Sequence, residues 1–156
     1  MKNSESKGSL MSTRPEVTAR EIMTTTLVQL DSDRPLWDAW TLMSRRDIRH
    51  LVITSRGNFL GIIDELRLLA AWPPGPWDAM GMPIRVLLRD RPSCVSPDCK
   101  LSEVAAIMAA DQVDAVAIAD ESGELLGLLT ATDVLRAVAR LGLRTPESDD
   151  PLAAAP

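Results

Sequence analysis

The chain has 156 residues, 46% of them hydrophobic and 25% charged, with a formal net charge of −5. That is enough apolar material for one compact domain, or for two small halves sharing a core. The acidic balance supplies no broad basic field for nucleic acid or anionic lipid, and four Trp, one Phe and no Tyr leave no evident stacking platform for single strands.

Residues 1–15 are polar and Ser/Lys-rich and are expected to form a disordered tail; they lack the apolar core of a secretion signal. No segment approaches the roughly 20 apolar residues needed to span a bilayer, so a cytoplasmic protein without membrane contact is expected. The first unit, 16–72, opens with a helical turn at Glu21-Ile-Met23 and an extended stretch at Leu27-Val-Gln-Leu30. Asp31 and Asp33 offer N-cap oxygens ahead of Pro35, which suits a first helical turn. Leu36, Ala39, Trp40 and Met43 then recur at helical spacing. Trp37 and Trp40 read as core or interface residues rather than as a ligand box. His50–Thr54 and Phe59–Ile63 are β-branched-rich runs joined by a hairpin-like turn at 55–58. A helix at 65–71 follows, and Trp72-Pro-Pro-Gly-Pro-Trp77 breaks it to begin a linker over 73–83.

The second unit, 84–142, repeats this order. Leu36-Trp-Asp-Ala-Trp-Thr-Leu-Met43 is echoed by Leu101-Ser-Glu-Val-Ala-Ala-Ile-Met108, and Gly57-Asn-Phe-Leu-Gly-Ile-Ile-Asp64 by Gly123-Glu-Leu-Leu-Gly-Leu-Leu-Thr130. A turn at 84–88 precedes a short strand at 93–95, and Asp98 is the expected cap of the helix carrying Leu101, Val104, Ala105 and Met108. Strands at 115–119 and 125–129 lead to a closing helix at 131–141 with Val134, Leu135 and Val138 on one face. Ser122 is one inserted residue in the second hairpin, and 143–156, rich in Pro, Asp and Ala, is expected to be a disordered tail. An internal duplication of this kind buries the apolar faces of its units against each other and leaves clefts at their boundary. Cys94, Cys99 and His50 are too few ligands, at the wrong spacing, for a structural zinc site. Reduced, partly buried thiols are expected, with a Cys94–Cys99 bridge as the alternative.

The β-α-β-β-α repeat, with Ile48-Arg-His-Leu51 entering a strand and Gly127-Leu-Leu-Thr-Ala-Thr-Asp133 closing the unit, resembles the cystathionine β-synthase (CBS) domain. Two in tandem, over roughly residues 19–142, look like a Bateman module. Val52 and Ala117 stand where many family members have a proline. The resemblance implies an α/β (α+β) fold of two repeats packed around a pseudo-two-fold axis, pairing again into a homodimer. It also implies clefts between the repeats that hold an adenosine-containing ligand such as AMP, ADP or ATP, with or without Mg²⁺. Carried over, Thr130 would sit near phosphate and Asp133 would take the ribose hydroxyls. Thr24 and Val28 would line the purine side, and Arg49 and His50 would reach for phosphate.

Chemistry supports these roles. A carboxylate accepts from both hydroxyls of a cis-diol, and a strand-to-helix junction offers free amides to an anion. Helix capping by Thr130 and Asp133 explains the same two residues equally simply. In the first copy Asp64 replaces the threonine and Arg67 the aspartate, so that cleft is expected to be empty or remade. Asp64 remains a good N-cap, with an i,i+3 pair to Arg67 as its plain explanation.

The expected function is that of a stand-alone regulatory sensor that needs no cofactor, is not an enzyme and has no catalytic residues. It would respond to one adenosyl ligand by a change of shape or assembly, passed on to a separate effector protein or kept within an oligomer. The alternative is a degenerate pair serving only as a dimerisation scaffold, with Trp37, Trp72 and Trp77 as anchors.

Overall fold

The computed structural model describes residues 16–89 and 92–141; the expected tails at 1–15 and 143–156 lie outside them. The chain is a mixed α+β protein with two three-stranded sheets. In the first copy, helix α1 (Ala19–Ile22) precedes strand β1 (Gln29–Asp31), helix α2 (Leu36–Arg46), strands β2 (His50–Ser55) and β3 (Asn58–Asp64), and helix α3 (Glu65–Ala70). Helix α4 (Pro76–Gly81) and a 3-10 turn (Ile84–Leu87) lead into the second copy. That copy holds β4 (Cys94–Val95), α5 (Leu101–Asp111), β5 (Ala115–Ala119), β6 (Leu125–Thr130) and α6 (Ala131–Arg140).

In each sheet the first strand runs parallel and the third antiparallel to the central one: Leu30 pairs with Ile53 and Val52 with Ile62, as Val95 pairs with Ile118 and Ala117 with Leu128. The central strands are buried on both faces. Leu51 and Ile53 belong to the first core and Val116 and Ile118 to the second. The side chains between them, Val52 and Ala117, are buried on the opposite face, since successive strand residues alternate. The echoed helices bury the echoed positions, Leu36, Ala39 and Met43 in α2 against Leu101, Val104 and Met108 in α5. Both helices end on a left-handed residue, Asp47 at φ 50° and Gln112 at φ 52°. The first hairpin turns on Arg56 and Gly57, both at positive φ, the backbone that a tight two-residue hairpin demands.

The repeat in sequence is not the repeat in space, because each copy's opening segment crosses to the other copy. Ala19 N donates to Cys99 O at 2.8 Å, and Ile84 N donates to Arg34 O at 2.8 Å. Leu101 N donates to Val17 O and Leu36 N to Met82 O, each at 2.9 Å. These reciprocal bonds define the pseudo-two-fold relation. The cores follow it: Ala19 is buried in the second core, Ile84 and Leu87 in the first.

This exchange corrects the two expected helix caps, and the linker and α6 differ from expectation as well. Asp31 and Asp33 do not cap α2, whose N-cap is Pro35; the Leu36 amide is satisfied by Met82 of the opposite opening segment. Asp98 does not cap α5, whose N-cap is Lys100 with Glu103 accepting from the Lys100 amide at 3.1 Å. Asp98 faces Arg20 of the crossing segment instead, at 3.6 Å. The linker holds a helix, α4, begun by Pro76 at a first-turn position where its missing N–H costs nothing. On α6 the buried residues are Val134 and Ala137, while Leu135 is exposed, because the helix presents its i, i+3 edge to the core. Trp72 packs on both Trp37 and Trp40, at centroid distances of 6.1 and 5.9 Å.

Candidate functional site

The strand-to-helix junction at the end of each copy is built differently. In the second copy Thr130 is the N-cap of α6. Asp133 Oδ2 accepts from Thr130 Oγ1 at 2.6 Å and from Thr130 N at 3.0 Å, while Asp133 N donates back to Thr130 Oγ1 at 3.3 Å. This reciprocal cap fixes the carboxylate at the junction. Its other oxygen, Oδ1, lies 3.6 Å from Arg136 Nη1.

The opening of the first copy arrives beside this junction. Thr24 and Leu128 exchange backbone bonds, N to O at 2.8 and 2.9 Å, two residues before Thr130 on the same strand. The approach requires Gly127: a Cβ there would meet Met23 Sδ at 2.7 Å and Thr24 O at 3.0 Å. A depression of about 350 Å³ lies between this crossing segment and α6, lined by Glu21, Met23, Asp133, Arg136 and Arg140 among others. The Glu21 carboxyl is held below its ordinary range by accepting hydrogen bonds from Thr18, first from its amide at 2.7 Å and then from its hydroxyl at 2.9 Å.

In the first copy Asp64 caps α3 by accepting from the backbone of Arg67 at 2.7 Å. The bond goes to the amide, and among the described residues the two side chains form no ion pair, which corrects the expected i,i+3 pairing. Asp64 lines a cavity of about 30 Å³ with His50, Arg89 and Asp114. Such a space holds about one water and no nucleoside, which needs a pocket of roughly 300 Å³ or more.

The residues expected to form one site therefore sort into groups. Thr130 and Asp133 are bonded together, with Thr24 joined to their strand. Val28 packs against the first core and accepts from Val52 N at 3.1 Å. Arg49 is exposed, and its carbonyl accepts from Glu65 N at 2.9 Å. His50 Nε2 lies 3.0 Å from Asp114 Oδ1, and its ring shares the small cavity with Asp64. Sequence reasoning missed Arg136 and Asp114. Arg136 stands one helical turn beyond Asp133, and Asp114 is the counterpart of Arg49 in the alignment of the two copies, so both signals were present.

Cys94 and Cys99 are free thiols, as the sequence suggests, not a bridge. Burial pushes both thiols up, and at Cys99 the neighbouring Glu103 adds to the shift. Among the described residues no His/Cys/Asp/Glu group could hold a metal ion, and no helix is long and apolar enough to cross a membrane.

The two-copy architecture with its crossed openings is the arrangement of a CBS pair. The CBS domain model matches residues 19–73 and again 84–140, and the chain belongs to the CBS domain family. Among solved structures it is similar to a conserved CBS domain protein of unknown function from Thermoplasma acidophilum, with TM-score 0.72 and 24% identity over 78% of this chain and 68% of that one. It is also similar to the CBS domain pair of protein MJ0100 in complex with 5′-methylthioadenosine and S-adenosyl-L-methionine, with TM-score 0.70 and 19% identity over 81% and 98%. A hexameric CBS-CP12 protein from bloom-forming cyanobacteria aligns with TM-score 0.69 and 22% identity over 78% and 68%. A search of curated proteins finds no match.

Proposed function

We propose that this CBS pair is a regulatory protein that binds one adenosine-containing ligand per chain at the junction of Thr130 and Asp133. The observation that carries the reading is the inequality of the two junctions. One presents a carboxylate fixed by its own helix cap beside a depression of about 350 Å³. The other presents Asp64 and a cavity of about 30 Å³. In this reading the Asp133 carboxylate accepts the ribose hydroxyls, and the purine lies along the Thr24–Val28 segment. The adenosyl ligands of the MJ0100 pair support the ligand class. Arg49 is a candidate for phosphate, and His50 belongs with the altered cleft.

Binding would act by favouring one arrangement of the interlocked copies or one state of assembly, since a ligand shifts only equilibria whose states it binds unequally. A homodimer, and a separate effector protein that reads the change, complete the proposal. A second reading, a scaffold that binds no nucleotide, is favoured by the exposure of Trp77 and Met80 on α4. In that case Trp77 is the anchor, because Trp72 is already committed to Trp37 and Trp40.

Thermal melts against AMP, ADP, ATP, S-adenosylmethionine and NAD(H), with and without Mg²⁺, separate the two. A ligand at about 100 times its dissociation constant adds roughly 2.7 kcal/mol when it binds only the folded state. A shift that disappears in Asp133→Ala supports the sensor. No shift with any of them supports the scaffold.

A further inference from the structure

We infer that Arg136 and Arg140 set the charge preference of the Asp133 site, making it selective for phosphorylated adenosine ligands over neutral adenosyl ones. The inference rests on the reading of Asp133 as the ribose acceptor.

Asp133 has two oxygens with different commitments. Oδ2 is bonded to the amide and hydroxyl of Thr130, while Oδ1 faces Arg136, at 3.6 Å. A ribose hydroxyl that reaches Oδ1 therefore competes with the Arg136 guanidinium. Arg136 is mostly exposed, at 68%, so it can swing away on its long stem. A ligand that carries phosphate gives the displaced guanidinium a new and stronger partner, because planar guanidinium donors match phosphate oxygens in pairs. A ligand without phosphate removes the ion pair and returns nothing.

Arg140 reinforces this preference. It follows Arg136 by one turn on the same face of α6, and both line the depression that Asp133 enters. The acidic groups facing the two arginines there are Asp133 and Glu21. Both carboxylates are already engaged by backbone and hydroxyl donors, Asp133 by Thr130 and Glu21 by Thr18. A dianionic phosphate that draws Arg136 away from Oδ1 thus meets two guanidinium forks on one face of α6.

Calorimetric titration of the full chain with AMP and with 5′-methylthioadenosine tests this. The wild type is expected to bind AMP about ten-fold or more tightly than 5′-methylthioadenosine, the scale of one charge-assisted contact. The double variant Arg136→Gln/Arg140→Gln is expected to bring the two within about two-fold, weakening AMP while leaving 5′-methylthioadenosine unchanged or tighter, because Oδ1 is freed. Arg136→Lys, which keeps the charge, should retain part of the preference. Equal affinities in the wild type, or a preference that persists in the double variant, overturn the inference alone so long as Asp133→Ala abolishes binding. If neither probe binds the wild type, the inference and the reading it rests on both fail.

Discussion

Thr24 and Leu128 hold each other by two backbone hydrogen bonds, at 2.8 and 2.9 Å, and so fasten the opening of the first copy onto the last strand of the second. The fastening leaves no room above Gly127, where a Cβ would meet Met23 Sδ at 2.7 Å and the Thr24 carbonyl at 3.0 Å. Gly61 is its counterpart, but there a Cβ meets only the tip of Leu88, at 3.0 Å, and Pro92 at 4.0 Å. Gly127→Ala should therefore cost about 1–3 kcal/mol, the range for overpacking against backbone. Gly61→Ala should cost less, because the end of a leucine can turn aside. Urea denaturation of both variants checks the order; equal losses would contradict it.

The crossed openings predict that the copies unfold together. Ile84 is wholly buried in the first core, although it stands at the start of the second copy. Ile84→Ala should cost about 2–5 kcal/mol. Denaturant curves followed by tryptophan fluorescence, which reports the first copy and the linker helix where the four Trp lie, and by far-UV circular dichroism should remain superimposable. Two separated transitions would show that the copies are independent.

Asp120 supplies a pH signature. Its carboxylate accepts from the Ser122 hydroxyl at 2.6 Å and from the amides of Ser122 and Glu124 at 2.9 Å each, and these bonds, the hydroxyl's first, hold it below the ordinary carboxylate range. A folded value lower than the unfolded one means that the contribution is fully present above about pH 4 and is lost as pH falls through the folded value. Asp120→Asn should therefore be less stable than wild type at neutral pH, by an amount that shrinks below about pH 4. A difference that stays constant from neutral to acid pH would contradict this.

The duplication made the two helices, the two hairpins and their buried stripes legible, because the apolar periods repeat at matching positions: Leu36, Ala39 and Met43 against Leu101, Val104 and Met108. It also exposed the substitution of Thr130 and Asp133 by Asp64 and Arg67. The crossing of the openings was not legible. Local spacing points to the nearest side chains, Asp31, Asp33 and Asp98, as caps, whereas the helix amides find carbonyls 46 and 84 residues away, Met82 for Leu36 and Val17 for Leu101. Helix α4 is masked by the prolines at 73, 74 and 76, the last of which begins it. The motif groups His50 with Thr130, and only the folded chain pairs it with Asp114.

Isothermal titration with AMP of the wild type, Asp133→Ala and Asp64→Ala tests the central claim most directly. One binding event per wild-type chain is expected, abolished by Asp133→Ala and kept by Asp64→Ala. Two events per chain, or binding that survives Asp133→Ala, would contradict the assignment of a single site at the second copy's strand-to-helix junction.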